Sequence, residues 1–382
     1  MRFDTRLVQV GQDPEPGSGD VVPALHLAAT YDRTVQDPPR YFYARGENPT
    51  RDDLQRSLAA LEGARFATVY ASGQAAAMTA LSLLRPGQRL LCGDDIYGGT
   101  YQLLQLLERY GIRVSFADLT DPAVLNRLDG GGDGGADVAM VWVESPSNPL
   151  LKVVDLAEIA ERTHRIGALL VVDNTLASPA LQQPLQWGAD VTVYSTTKSI
   201  AGHLDVLGGA LVYDDPELHE QFLAYRTTTG NMAGALDCFL VHRGLKTLGL
   251  RMARQVDNAQ RMVEALRDEP SVVRTHYPGL ATHPGHALAK RQMAGGGALF
   301  SFEYRHDPEK LMSRVRHFTS AVSLGGVRSL IECPALMTHR PIPREERLAR
   351  GISDNLIRVS PGIEDPADLV ADLIAAVRAG DR

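Results

Sequence analysis

The sequence predicts an α/β protein with a mostly parallel central sheet, an N-terminal arm and a smaller α+β C-terminal domain. Three observations carry that reading. Between Phe66 and Tyr213 short runs rich in Val, Leu and Ile alternate with helix-period stretches, the pattern of a sheet covered on both faces. The segment before residue 51 is rich in Pro and Gly (Pro14, Pro16, Gly17, Pro23, Pro38, Pro39) and shows no sustained period. Past Pro278-Gly279 the strand candidates thin out and the chain closes on a helical pattern. The expected division is an extended arm over 1–50, a large α/β domain over 51–245 and an α+β domain over 246–382.

Taken in order, the strand candidates of the large domain are Phe66–Tyr70, Arg89–Cys92, Val114–Ala117, Val138–Val143, Ala168–Val172, Val191–Tyr194 and Ala210–Tyr213. Helix-like stretches such as Asp155–Arg165 separate them. Leu245, Leu248, Met252, Val256, Met262 and Leu266 then recur near a 3.6-residue period, which predicts one long helix leading into the second domain. There the strand candidates are Ala298–Tyr304 and Leu356–Ser360, followed by a helix over Pro366–Ala379. Gly130–Gly135 lacks a strand before it and a helix after it, so it reads as a surface loop and not as a nucleotide site.

Composition removes several function classes. Lys and Arg number 39 against 46 Asp and Glu, a net charge of −7, which gives no support to phosphate neutralisation on a nucleic acid. Apolar runs stop far short of the roughly 20 residues of a membrane helix. Cys92, Cys238 and Cys333 are too scattered for a disulfide framework or a metal pattern. The start, Met1-Arg2-Phe3-Asp4, leads into no apolar signal core, so a cytoplasmic location is expected.

In an open parallel sheet ligands sit outside the carboxyl ends of the strands. After Phe66–Tyr70 comes Ala71-Ser72-Gly73-Gln74, a small-residue turn opening a helix whose free N–H groups suit a phosphate. Asp173-Asn174-Thr175 puts a carboxylate after the fifth run, and Ser195-Thr196-Thr197-Lys198 puts hydroxyls and an amine after the sixth. Each alone has an ordinary reading: a tight turn, a helix cap, a solvated lysine. Together they match pyridoxal 5′-phosphate, which needs N–H and hydroxyl donors for its phosphate, an acid for its ring nitrogen and a lysine for its aldehyde.

At this point the sequence resembles a known family. Tyr43-Ala-Arg45, Ser72-Gly73-Gln74, Tyr97-Gly98-Gly99-Thr100-Tyr101, Glu144-Ser-Pro-Ser-Asn148-Pro149, Asp173-Asn174-Thr175, Ser195-Thr-Thr197-Lys198, Gly202-His203-Leu-Asp205 and Ser323-Leu-Gly-Gly326 resemble the Cys/Met-metabolism (transsulfuration) family of pyridoxal-phosphate enzymes, in order and from about residue 3 to 375.

The resemblance implies fold type I, as in aminotransferases. It makes Lys198 the residue that binds the cofactor aldehyde and moves protons, and Asp173 the partner of the ring nitrogen. Gly73, Gln74, Ser195 and Thr197 become the phosphate cup. Tyr97 becomes the ring-stacking acid/base and Asn148 the neighbour of the phenolic oxygen. Arg358 becomes the clamp for the substrate carboxylate, with Ser323 and Val322 on the substrate side. Tyr43 and Arg45 would serve a neighbouring subunit's phosphate, giving an active dimer and a homotetramer. His203 and Asp205 are expected to brace the lysine loop, and Asn174 and Thr175 to shape their turn. No metal is expected.

The reaction is read from what precedes Ser323-Leu-Gly-Gly. Cystathionine enzymes of this family usually carry Glu there, whereas Ala321-Val322 offers an apolar wall, similar to methionine γ-lyases. A neutral thioether tail suits such a wall better than a zwitterion would. The expectation is γ-elimination on a methionine-like amino acid, giving a 2-oxo acid, ammonia and a thiol. Cystathionine γ-lyase and γ-replacement chemistry are the alternatives. Two residues stand apart. Gly98-Gly99 follows the tyrosine as in cystathionine enzymes, and Arg328 replaces a common Glu, facing either solvent or an anionic tail.

Overall fold

The computed structural model describes residues 1–14, 19–32, 40–129 and 137–380; Gly130–Gly135 lies outside the described residues. Seven strands form the larger sheet: β1 (Phe66–Tyr70), β2 (Arg89–Gly93), β3 (Arg113–Ala117), β4 (Val138–Glu144), β5 (Leu169–Asp173), β6 (Val191–Tyr194) and β7 (Gly209–Tyr213). Their spatial order is β1-β7-β6-β5-β4-β2-β3. The inner pairs β2 with β4, β4 with β5 and β5 with β6 are parallel, while β7 runs antiparallel to both β1 and β6.

Both faces of this sheet are buried, which is why its strands read as unbroken apolar runs. On β5, Val171 belongs to one core with Trp142 and Leu104, and Val172 to another with Leu156 and Ile159. The register sets Glu144 opposite Asp173 at the carboxyl ends of β4 and β5. Polar residues placed there face the crevice and not the core.

The smaller sheet contains β8 (Val272–His276), β9 (Phe300–Tyr304), β10 (Thr319–Ser320), β11 (Leu330–Glu332) and β12 (Leu356–Ser360), ordered β10-β11-β12-β9-β8. The helix Pro366–Arg378 covers one face through Leu369 and Leu373, which join Phe300, Phe302, Ile357 and Val359 in one core. Ser301 on β9 donates to the Pro149 carbonyl at 2.7 Å, tying this sheet to the loop after β4.

Two expectations are corrected. The arm is not extended from its start: Phe3–Gln9 is a helix whose Leu7 is buried with Leu54, Leu58 and Leu245. Seven residues are too few for a periodic signal, and the helix is stable because it docks, with Arg6 donating to the Ala60 carbonyl at 2.7 Å. The long helix is two, Ala235–Leu245 and Leu248–Leu266. Leu245 and Leu248 enter the same core, so the apolar period continues across a break that it cannot register.

Candidate active site

The carboxyl ends of the parallel strands meet the loop after β10 at a cavity of about 210 Å³. Eleven of the residues singled out in the sequence line it: Gly73, Gln74, Tyr97, Asn148, Asp173, Ser195, Thr197, Lys198, Val322, Ser323 and Arg358. Tyr43 and Arg45 do not. Both are exposed, with the Arg45 guanidinium 5.6 Å from the Tyr43 ring centroid and bonded to the Thr227 carbonyl at 2.6 Å.

At one end of the cavity begins the helix Gly73–Leu81, capped by Ser72, whose hydroxyl accepts from the Ala75 N–H at 3.1 Å. The N–H groups of Gly73 and Gln74 lie in the first turn, where no intrahelical acceptor exists. Gly73 is required by closeness: a Cβ there would lie 2.8 Å from Ser195 Cβ. The Gln74 side chain also faces inward, and its Oε1 is buried without a partner. Opposite stands Ser195, whose own N–H donates to Thr175 Oγ1 at 2.9 Å. The Thr197 hydroxyl is engaged with Gly208, accepting from its N–H at 2.9 Å and donating to its carbonyl at 3.2 Å. Two free N–H groups, a helix start and a serine hydroxyl form an anion cup of phosphate type.

Asp173 ends β5 and accepts from the Thr175 N–H at 3.0 Å. Burial pushes its carboxyl above the ordinary range, opposed by the Thr175 bonds. Glu144 beside it is also buried, and its carboxyl is pushed up by burial and then by Asp173 itself. Its Oε2 accepts from the Tyr97 N–H at 2.9 Å, while Oε1 is buried and unpartnered. Two adjoining carboxyls short of donors call for a cation or an N–H, which a protonated pyridine ring provides.

Lys198 follows β6 and donates to Ser323 Oγ at 2.8 Å. Burial, reinforced by Arg358 and opposed by Glu332, lowers its amine to about 8. A neutral amine condenses with an aldehyde, so reloading of cofactor-free protein is expected to speed up about tenfold per pH unit below 8 and level off above it. Stopped-flow absorbance across pH 6 to 10 checks this; a pH-independent rate would contradict it.

Arg358, on β12, is held from three sides. Nη1 donates to Asn148 Oδ1 at 3.0 Å and lies 2.8 Å from Glu332 Oε1, and Nη2 donates to the Ser323 carbonyl at 2.8 Å. The edge formed by Nε and Nη2 retains donors for a carboxylate. Ser323 thus meets Lys198 with its hydroxyl and Arg358 with its carbonyl, in a left-handed backbone conformation (φ 92°) that costs about 1–3 kcal/mol for a residue other than glycine.

Some functional residues lacked a sequence signal. Glu332 follows no strand run of recognisable length, yet it is 1% exposed and neutralises Arg358. Thr338 Oγ1 donates to Glu332 at 2.7 Å, and His339 Nε2 lies 3.0 Å from the Asn148 carbonyl, so the loop after β11 secures both Arg358 partners. Thr175 does more than shape its turn, since it bonds both Asp173 and Ser195. The lysine loop is braced by Arg251, which donates to the Ser199 carbonyl at 2.6 Å and the Ile200 carbonyl at 3.2 Å. Asp205 does not brace it: this carboxylate is exposed. Among the described residues no group of three His, Cys, Asp or Glu is placed to hold a metal, and no helix is long and apolar enough to cross a membrane.

A family model for Cys/Met metabolism PLP-dependent enzymes matches residues 4–378. A cystathionine β-lyase of Coxiella burnetii is 43% identical over 98% of this chain and 97% of that protein. A cystathionine γ-synthase of Mycobacterium tuberculosis is also 43% identical, over 98% of this chain and 96% of that protein. Among solved structures, CalE6 of Micromonospora echinospora superposes with a TM-score of 0.95 at 59% identity, covering 99% of both chains, under the description cystathione γ-lyase. A second structure of CalE6, in its apo form and described as a methionine γ-lyase, gives 0.93 at 58% over the same share. With an anion cup, an acid and an amine lining one cavity, the chain belongs to the Cys/Met metabolism family of PLP-dependent enzymes and has their fold type I architecture.

Proposed function

We propose that the chain catalyses γ-elimination on a methionine-like sulfur amino acid, releasing a 2-oxo acid, ammonia and a thiol. The observation that carries this is Val322, an apolar side chain on the cavity wall beside Ser323. Of the two buried acids nearest the substrate side, Glu332 pairs with Arg358 and Glu144 Oε2 accepts from the Tyr97 N–H. A neutral thioether brings no charge of its own to be desolvated against that apolar side chain. CalE6, described both as a cystathione γ-lyase and as a methionine γ-lyase, supports the reaction class.

When bound, pyridoxal phosphate supplies the aldehyde and an electron-withdrawing ring that stabilises negative charge at the substrate Cα. Arg358 holds the α-carboxylate by its Nε and Nη2 edge. The Lys198 amine takes and returns protons at Cα and Cβ. The Tyr97 hydroxyl, raised by burial against the pull of Arg358, stays protonated at neutral pH and donates toward the departing sulfur. Asp173 holds the ring nitrogen protonated, and Gly73, Gln74 and Ser195 hold the phosphate. Tyr43 and Arg45, outside their own chain's cavity, serve a second copy.

The test is V322E assayed with methionine and with cystathionine. The ratio of kcat/KM for cystathionine to that for methionine is expected to rise about tenfold or more, because the new carboxylate pairs with the distal ammonium and repels nothing neutral. An unchanged ratio, or a parent enzyme that turns over cystathionine but not methionine, rejects the proposal.

A further inference from the structure

Past Val322 the cavity opens into a second hollow of about 560 Å³. The two share Thr197, Leu207, Val322 and Ser323 as walls, so a γ-substituent that runs beyond Val322 enters the outer hollow. Most of its remaining wall is apolar, from Leu204, Val206, Ala321 and Leu330. Two lining residues carry charge, Asp205 and Arg328, and both are exposed. Among the described residues neither side chain has a hydrogen-bond or ion-pair partner.

Their backbones, in contrast, are fixed relative to each other. The Val327 N–H donates to the Gly202 carbonyl at 2.9 Å, joining the segment that carries Arg328 to the loop that carries Asp205. On its other side, Ser329 bonds Glu364 through its N–H at 2.7 Å and its hydroxyl at 2.8 Å. An unpaired guanidinium and an unpaired carboxylate thus stand on anchored segments beside apolar walls.

We infer that the outer hollow is a charge-reading subsite for the far end of the γ-substituent, meeting a carboxylate with Arg328 and an ammonium with Asp205. The apolar wall and the charged pair then act in succession: methylenes next to sulfur lie on Val322 and Leu207, and a charged end reaches past them. Short neutral tails remain substrates because they stop at the wall. This inference rests on the γ-elimination reading and extends it to longer thioethers with charged ends.

The test uses the holoenzyme with three L-homocysteines of matched tail length, S-propyl, S-(2-carboxyethyl) and S-(2-aminoethyl), measuring 2-oxo acid release and, separately, Kd from the cofactor's visible absorbance. Arg328→Ala is expected to raise the KM ratio of carboxyethyl to propyl about tenfold, and Asp205→Asn the ratio of aminoethyl to propyl about fivefold, both shrinking in 0.5 M salt. Arg328→Lys, which keeps the charge, retains most of the carboxyethyl preference, so loss through misfolding is recognisable. Ratios within twofold of the parent in both variants overturn the inference while propyl turnover still supports γ-elimination. If no probe yields oxo acid, the reaction reading fails, and the Kd ratios still decide the subsite.

Discussion

Lys198→Arg protein is expected to lose turnover by at least about 10⁴-fold while keeping its fold and its cofactor. The chain has five lysines, Lys152, Lys198, Lys246, Lys290 and Lys310, and only Lys198 lines the cavity. Lys152 is taken up by Asp94 and Asp118 at 2.9 and 2.8 Å, and Lys246 donates to the Val10 carbonyl at 3.0 Å. Arginine preserves a donor toward Ser323 and a positive charge, but it does not deprotonate, so it neither links to an aldehyde nor carries protons between Cα and Cβ. The phosphate cup and Asp173 are untouched, so bound cofactor stays near one per chain. Oxo acid assays with cofactor stoichiometry decide; a variant retaining more than about a hundredth of the parent rate would show that another group does this work.

Arg358→Ala is expected to damage both binding and stability. Losing a charge-assisted bidentate contact to the substrate carboxylate raises KM about 10²-fold or more. Glu332 is left behind, and a buried carboxylate without its partner costs about 3–5 kcal/mol. Burial already raises the Glu332 carboxyl, Arg358 being the main influence that lowers it. Without Arg358 its folded-state value climbs further above the unfolded one. The stability deficit of the variant is therefore small below the ordinary value of 4.5 and grows as the pH rises through and beyond it. Replacing the pair together, E332L with R358M, is expected to recover stability without activity, because two apolar groups leave no stranded charge. Urea unfolding at pH 4 and pH 7 checks both statements; an Arg358→Ala protein equally stable at both would contradict the pairing.

What could be read from the chain follows from where the signal is local. β4, β5 and β6 are buried on both faces, so unbroken apolar runs marked them, and the residues after each run lay in the crevice by the geometry of parallel sheets. The cup, Asp173 and Lys198 were legible for that reason. β10 and β11, with two and three residues, carry no period, and Glu332 was invisible with them. Its role exists only through a cross-strand pairing, Glu332 opposite Arg358, between segments far apart in sequence. Arg251 is similar: on a helix it reads as one more polar residue, and only the folded chain brings it the Ser199, Ile200 and Gly244 carbonyls. The reversal of β7 also escaped, because a buried antiparallel strand has the same apolar run as a parallel one.

Borohydride reduction of the holoenzyme, followed by peptide mapping, tests the central claim most directly, since it fixes the cofactor permanently to whichever amine holds it. The account predicts about one reduced pyridoxyl group per chain, on the peptide containing Ser195-Thr196-Thr197-Lys198. A label on Lys152, Lys246, Lys290 or Lys310 would contradict it, as would a holoenzyme whose cofactor washes away after reduction.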